Sequence, residues 1–221
     1  MCGRYTLAPD QTAFDERFSL VGSDLHIIPS FNIAPTQSVV TVTSNGGNHA
    51  QLMRWGLIPS WAKDASIGSR MINARAETLA EKLSFRTAFR RRRCLIPADG
   101  FFEWTRVGLV KKPMRIVLRS GEPFAFAGLW DSWRDPSGER ILSCTIITTR
   151  PNDLMETIHN RMPVILARGV ESVWLDQSVQ DTAVLAELLG PFPSEAMVAY
   201  EVSTLVNSPR NNDPGCIARA R

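Results

Sequence analysis

The chain has 221 residues, 44% hydrophobic and 21% charged, which is ordinary for a globular domain and excludes disordered and low-complexity classes. Its 25 lysines and arginines against 22 aspartates and glutamates give a formal charge of +3, which permits a nucleic-acid partner without demanding one. Apolar runs such as Cys144 to Ile147 are far shorter than a membrane span, and residues 1–30 lack a basic start followed by an apolar stretch.

Pro9-Asp10 opens a short predicted helix with Phe14 and Phe18 on one face. Ser38 to Thr43 is β-branched and predicts a strand, followed by an Asn45-Gly46-Gly47 turn and a second strand over Gln51 to Trp55. From Ala76 to Phe89 the spacing of Ala76, Leu79, Ala80, Leu83 and Phe89 predicts one helix. The following Arg90 to Arg93 run suits the negative end of its dipole, or is simply a solvated helix end. Strands are predicted at Arg115 to Leu118, Phe124 to Trp130 and Ile141 to Thr149, with turns at Ser120-Gly121 and Asp135-Pro-Ser-Gly138. A short helix over Pro151 to His159, with Asn152 or Asp153 near its start, leads to a strand over Met162 to Leu166. Helices at Val170 to Leu175 and Thr182 to Leu189 precede a last strand over Met197 to Val202. Without regular βαβ alternation the expected class is α+β. It is expected as a single compact domain over 1–221, its core a curved, largely antiparallel sheet or open barrel flanked by helices, with 206–221 as a C-terminal tail.

Four cysteines (Cys2, Cys94, Cys144, Cys216) lie far apart without a C-x-x-C, so thiols in a reducing, cytoplasmic compartment are expected. His26, His49 and His159 have no zinc spacing with them, so no metal or cofactor is expected.

Cys2 is the first residue that could carry chemistry. Removal of Met1 would give it a free α-amine, with a reference pKa of about 7.7–8.0, beside a thiol at about 8.5. A 1,2-aminothiol condenses with an aldehyde to an imine and closes to a thiazolidine, which no internal cysteine does. By itself, Cys2 reads equally as an incidental residue of a loose terminus. Glu103, in Asp99-Gly-Phe-Phe-Glu-Trp104, is the only charge among aromatics and shares a strand face with Phe101. An apolar wall would raise its pKa and let it move protons near neutrality; on a solvent face it would do nothing of the kind. His159 lies where a predicted helix meets a predicted strand, a place for a site residue or for a solvated histidine. Asn73, just before the helix predicted at Ala76, reads by itself as a helix-entry residue. Arg4, Arg54-Trp55, Trp61, Lys63, Arg70, Arg75, Arg150 and Arg161 supply cations for phosphates and aromatic faces for unpaired bases, or are scattered surface charges and core tryptophans.

Seven segments stand in order over roughly residues 1–205: Met1-Cys-Gly-Arg-Tyr5, Asn32-Ile-Ala-Pro35, Trp55-Gly-Leu-Ile-Pro-Ser-Trp61, Ile72-Asn-Ala-Arg-Ala-Glu77, Arg93-Cys-Leu-Ile-Pro-Ala-Asp-Gly-Phe-Phe-Glu-Trp104, Thr148-Thr-Arg-Pro-Asn152 and His159-Asn-Arg-Met-Pro163. Together they resemble the SOS-response-associated peptidase (SRAP) family, whose members shield abasic sites in DNA. The resemblance implies that Cys2 becomes residue one and that Asn73, Glu103 and His159 complete the catalytic set. It implies phosphate contacts at Arg4, Arg75 and Arg161, with Asn32 and Trp61 as further DNA contacts, Trp61 as a stacking wedge. The implied partner is single-stranded DNA with an abasic site, bound by a monomer that is nucleoid-associated when on DNA, and the implied product is a thiazolidine crosslink formed through a Schiff base. Two other readings stand beside it. One is a cysteine peptidase with Cys2 as nucleophile and Met1 as the first bond cut; the other is a non-covalent single-stranded nucleic-acid binder.

Overall fold

The computed structural model describes residues 2–22 and 25–220. In chain order the elements are β1 (Tyr5–Leu7), α1 (Gln11–Phe18), β2 (Ser30–Ile33), β3 (Ser38–Ser44), β4 (Asn48–Trp55), β5 (Asn73–Arg75), α2 (Arg86–Arg91), β6 (Arg93–Ala98), β7 (Gly100–Val107), β8 (Val110–Leu118), β9 (Phe124–Arg134), β10 (Arg140–Thr149), α3 (Asp153–Glu156), β11 (Met162–Pro163), β12 (Ile165–Leu166), α4 (Arg168–Leu175), α5 (Thr182–Glu187) and β13 (Met197–Glu201). The α+β class expected from the sequence is the class observed.

Strands β10, β4, β3, β6 and β9 pair in that order, and β9 pairs back onto β10, so the barrel is closed rather than open. Its ladders are antiparallel except that β10 runs parallel to β4 and to β5. A ring has no free edge, which removes the exposed strand that an open sheet must otherwise protect. The second sheet, ordered β13-β8-β7-β1-β2, is antiparallel throughout. Tyr5 of β1 and Phe101 of β7 are register partners and so share a face. Both rings meet Phe126 of β9, at 5.8 and 6.0 Å, in edge-to-face contacts that join sheet and barrel into one core.

The N-terminal strand is fastened more firmly than three residues of pairing would manage. The Asp99 carboxylate accepts the Ala8 N–H at 2.8 Å and the Thr6 hydroxyl, and pairs with Arg115 at 3.2 Å. Phe102 N–H donates to Arg4 O at 2.9 Å, continuing the β1–β7 pairing back toward residue 2. At the other end, 3-10 turns at Thr204–Asn207 and Pro214–Ile217 bury Val206 and Cys216 against Phe102 and Val202.

The sequence expectations need three local corrections. The helix predicted over Ala76 to Phe89 is a 3-10 turn at Ala76–Thr78, a run of tight turns and then α2 alone. Its apolar stripe has no common face, since Leu79 and Phe89 are buried while Leu83 is 66% exposed, and an Arg161–Glu77 fork holds the first turn elsewhere. The Arg90 to Arg93 run does not end in solvent: Arg93 is buried and donates to the carbonyls of Phe89, Arg90, Trp174 and Asp176, capping the end of α2 with its side chain. The strand predicted over Met162 to Leu166 splits in two, because β11 pairs with β10 and β12 with β9.

Gly56 and Gly68 cross backbone to backbone. A Cβ on Gly56 (φ 126°) would lie 2.6 Å from the Gly68 carbonyl oxygen. The crossing sets the path of residues 71–75, where Leu57 N–H donates to Met71 O at 3.1 Å. Gly56→Ala should therefore cost about 2 kcal/mol or more, read in a thermal melt as a Tm drop of roughly 4–8 °C. Gly46→Ala, at φ 70° with open space around it, should fall by clearly less.

Candidate active site

The β1–β7 pairing delivers Cys2 to the interior, where it is fully buried and belongs to the main core. Its Sγ lies 3.9 Å from Arg4 O. Burial pushes the thiol's pKa up, and the negative charge of Glu103 pushes it further. Glu103 sits on β7 two residues beyond Phe101, on the same face, and is 3% exposed. Burial raises its carboxyl above the ordinary glutamate value, and His159 draws it partly back. Glu103 thus lies inside the protein and not on a solvent face.

His159 follows α3, whose Asn152 cap accepts the Met155 N–H at 2.9 Å. The His159 N–H donates to Met155 O at 2.7 Å. Its Nδ1 lies 3.0 Å from the Arg161 N–H and 3.2 Å from Arg161 O. The neutral ring can accept the Arg161 N–H at Nδ1 and carry its proton on Nε2, whereas the doubly protonated ring can donate from Nδ1 to Arg161 O. Glu103, Trp104, Arg106, Lys111, Ile158, His159 and Asn160 line a cleft of about 550 Å³, which opens the buried carboxyl to a ligand.

Asn73 is not a helix-entry residue. It begins β5, opposite Ile146 of β10. Its Nδ2 donates to Ile72 O at 3.0 Å, and its buried Oδ1 has no hydrogen-bond partner among the described residues. One link from this strand to the N-terminal strand runs through Trp55, whose indole donates to Ile72 O at 2.9 Å and whose ring stands 5.3 Å from Tyr5. Cys2, Glu103 and His159 are close enough to interact electrostatically. Met1, whose removal the resemblance implies, lies outside the described residues.

The implied DNA contacts divide. Asn32 is 1% exposed, with Nδ2 donating to the carbonyls of Val206, Ser208 and Asn211 and Oδ1 taken by Arg4 at 2.9 Å. It cannot reach DNA, and its place is that of a structural amide. Arg4 also donates to Val206 O at 2.7 Å and Asn207 O at 3.4 Å, so its first task is to hold the C-terminal segment. Arg161 makes a bidentate pair with Glu77, at 2.7 and 2.9 Å, and donates to Thr148 O at 2.6 Å. That fork ties the His159 loop to the turn after β5. Arg75 is exposed, and Trp61 is 58% exposed on a loop anchored by Ser60 N–H on Asp131. The cleft residues Trp104, Arg106 and Lys111 were not singled out from the sequence. A two-residue Gly108-Leu109 loop between β7 and β8 is the signal that would have set Lys111 opposite Arg106.

The frame and site define an α+β protein in which the segment leading into β1, an inner strand of its sheet, carries a thiol to a buried acid beside an open cleft. The chain belongs to the SOS response associated peptidase (SRAP) family, which matches residues 1–209. It is 50% identical over 98% of its length to the abasic site processing protein YoqW of Bacillus subtilis, covering 99% of that protein. It is 36% identical to the abasic site processing protein HMCES of Xenopus tropicalis over 75% of this chain and 56% of that one. A solved structure of a protein from Bacteroides thetaiotaomicron superposes with a TM-score of 0.90 at 32% identity, covering both chains fully.

Because burial raises the folded pKa of Glu103 above its unfolded value of about 4.3, the native state holds that proton more tightly. Its stabilising contribution is complete in acid and is lost as pH rises through the raised value. Urea midpoints of wild type and Glu103→Gln should thus converge in acid, and the variant should gain on wild type toward neutral pH. A wild type that gains on the variant as pH rises would mean that the carboxylate, not the acid, is the favoured form.

Proposed function

We propose that this chain binds abasic sites in single-stranded DNA and captures the sugar aldehyde covalently through Cys2 after Met1 is removed. The observation that carries the reading is the burial of the Cys2 thiol beside an acid of raised pKa that opens onto a cleft shared with His159. The names of the relatives point to the same lesion.

In the proposed sequence, doubly protonated His159, its Nδ1–H toward Arg161 O, gives its Nε2 proton to the ring oxygen as the bond from C1′ to that oxygen breaks, and the anomeric hydroxyl returns its own proton to Nε2, leaving the aldehyde. The Cys2 α-amine adds to C1′, and the Glu103 carboxylate relays the two amine protons in turn to the former aldehyde oxygen, one to form the carbinolamine and the second as that oxygen leaves as water. The thiol then adds to the imine carbon: the C–S bond forms, the thiol proton passes to the former imine nitrogen, and the five-membered ring closes. Asn73 Oδ1 offers an acceptor for the amine or carbinolamine. The raised pKa of the thiol argues against the peptidase reading. A peptidase thiol works as a thiolate made by a cationic neighbour, whereas this one is held neutral by burial and a carboxyl. A neutral thiol suffices to trap an imine carbon.

Intact mass after mixing with abasic single-stranded DNA should equal protein without Met1 plus DNA minus one water. Cys2→Ser should give only a borohydride-trapped imine, and an uncleavable residue placed before Cys2 should abolish capture. A wild-type protein that shows no such mass, or a Cys2→Ser protein with the stable adduct, defeats the proposal. Glu103→Gln should slow capture about 10²–10⁴-fold even of an open-chain aldehyde. His159→Ala should be slow on the natural sugar and near wild type on the open aldehyde. Equal impairment on both would remove ring opening from its role.

A further inference from the structure

The β7–β8 hairpin forms one wall of the cleft, and its charges are badly arranged for a protein with nothing bound. Arg106 and Lys111 are direct register partners. Two cations facing each other across an antiparallel pair repel, where an opposite-charge pair would add stability. Both are exposed, and among the described residues neither has a hydrogen bond or ion pair. The nearby acid does not relieve them, because Glu201 is taken by Lys112 at 2.8 Å. The two-residue loop Gly108-Leu109, with Gly108 at φ 62°, fixes this register, so the strands cannot slide the cations apart. Both line the same cleft as Glu103, His159 and Asn160.

We propose that Arg106 and Lys111 form a phosphate clamp for the linkage adjacent to the abasic sugar. The ligand class is a nucleic-acid phosphodiester. A guanidinium fork and an ammonium, set side by side on a fixed hairpin, would share its non-bridging oxygens and lose their mutual repulsion as it enters. The clamp and the proton-moving residues line one cleft, so a phosphate held at Arg106 and Lys111 tethers the strand at the mouth of the site that holds Glu103 and His159. The arginines implied by family resemblance are in part committed elsewhere, Arg4 to the C-terminal segment and Arg161 to Glu77. The hairpin supplies cations with no such prior engagement.

This assignment rests on the DNA-capture reading, and its test is separable from it. The probe is a fluorescent single-stranded oligomer carrying tetrahydrofuran, a closed abasic analogue with no aldehyde, titrated over a series of salt concentrations. R106Q/K111Q should bind about tenfold more weakly, with a log K against log salt slope shallower by about 0.7, the value for one single-strand phosphate contact. The charge-keeping R106K/K111R should stay near wild type. In a second arm, the two linkages flanking the analogue are replaced one at a time by neutral methylphosphonate. Wild type should lose affinity for one of them, and R106Q/K111Q should lose nothing further there. An unchanged affinity and slope in R106Q/K111Q overturns the clamp, as does wild-type indifference to both neutral linkages. The methylphosphonate arm needs only wild-type protein and decides the matter even if the double variant is unstable. A protein that binds the analogue as described yet forms no adduct with a true abasic site keeps the clamp and loses the covalent reading.

Discussion

The structure depends on one pairing, that of Tyr5–Leu7 with the start of β7. Chain termini ordinarily fray, because holding each residue's backbone costs about 1–2 kcal/mol and few contacts repay it. Here the cost is offset by a small buried network. Asp99 receives Ala8, Thr6 and Arg115, Asp99 N–H returns to Thr6 O, and Tyr5 packs on Trp55 and Phe126. The consequence is positional. Cys2 lies only three residues before a fixed tyrosine, so its thiol and its main chain have little freedom relative to Glu103. A reaction that joins two groups gains most when both are already placed.

The same burial sets the proton inventory. Cys2, Glu103 and Tyr5 all have raised pKa values, and for each the largest cause is loss of water. The Cys2 thiol therefore rests protonated, shielded on the proposed reading from passing electrophiles until an imine forms beside it, and the Glu103 carboxyl holds a proton more tightly than an exposed glutamate does. On the proposed reading this explains why the carboxyl is placed inside the protein, where it destabilises the fold as an anion, rather than at the rim. Active-site groups commonly trade stability for reactivity in this way.

Much of this was legible in the sequence, and the failures have physical causes. The strands β3, β9 and β10 were visible because β-branched and aromatic runs were bounded by turn residues. Glu103 stood out because a lone carboxylate among Phe101, Phe102 and Trp104 must either point outward or be perturbed. Asn73 reads by itself as a helix-entry cap or turn residue because an apolar stripe follows it, whereas the structure begins β5 there and continues into a single 3-10 turn. Periodicity at Ala76, Leu79, Ala80 and Leu83 is a local signal, and the Arg161 fork on Glu77 and the burial of Leu79 override it from a distance. Asn32 carried no local sign that its amide would bind three carbonyls of a segment about 180 residues away. Arg106 and Lys111 were missed for a simpler reason: reading β8 only from Arg115 hid the tight hairpin that makes them neighbours.

The arginines show why formal charge is a poor guide to a nucleic-acid surface. Arg17 is spent on Glu171, Arg93 on four carbonyls, Arg115 on Asp99 and Thr6, Arg161 on Glu77, and Arg4 on the C-terminal segment. These cations count toward the net +3 yet most of their donors are occupied within the fold. Guanidinium suits such work because its planar fork satisfies several acceptors at once. Other cations among the described residues carry no such commitment, among them Arg75 on β5 and the Arg106–Lys111 pair on the hairpin. A strand held only by such charges is read by its phosphates and not by its bases. That is the economy a lesion binder needs, because an abasic site has lost the base that any sequence code would require.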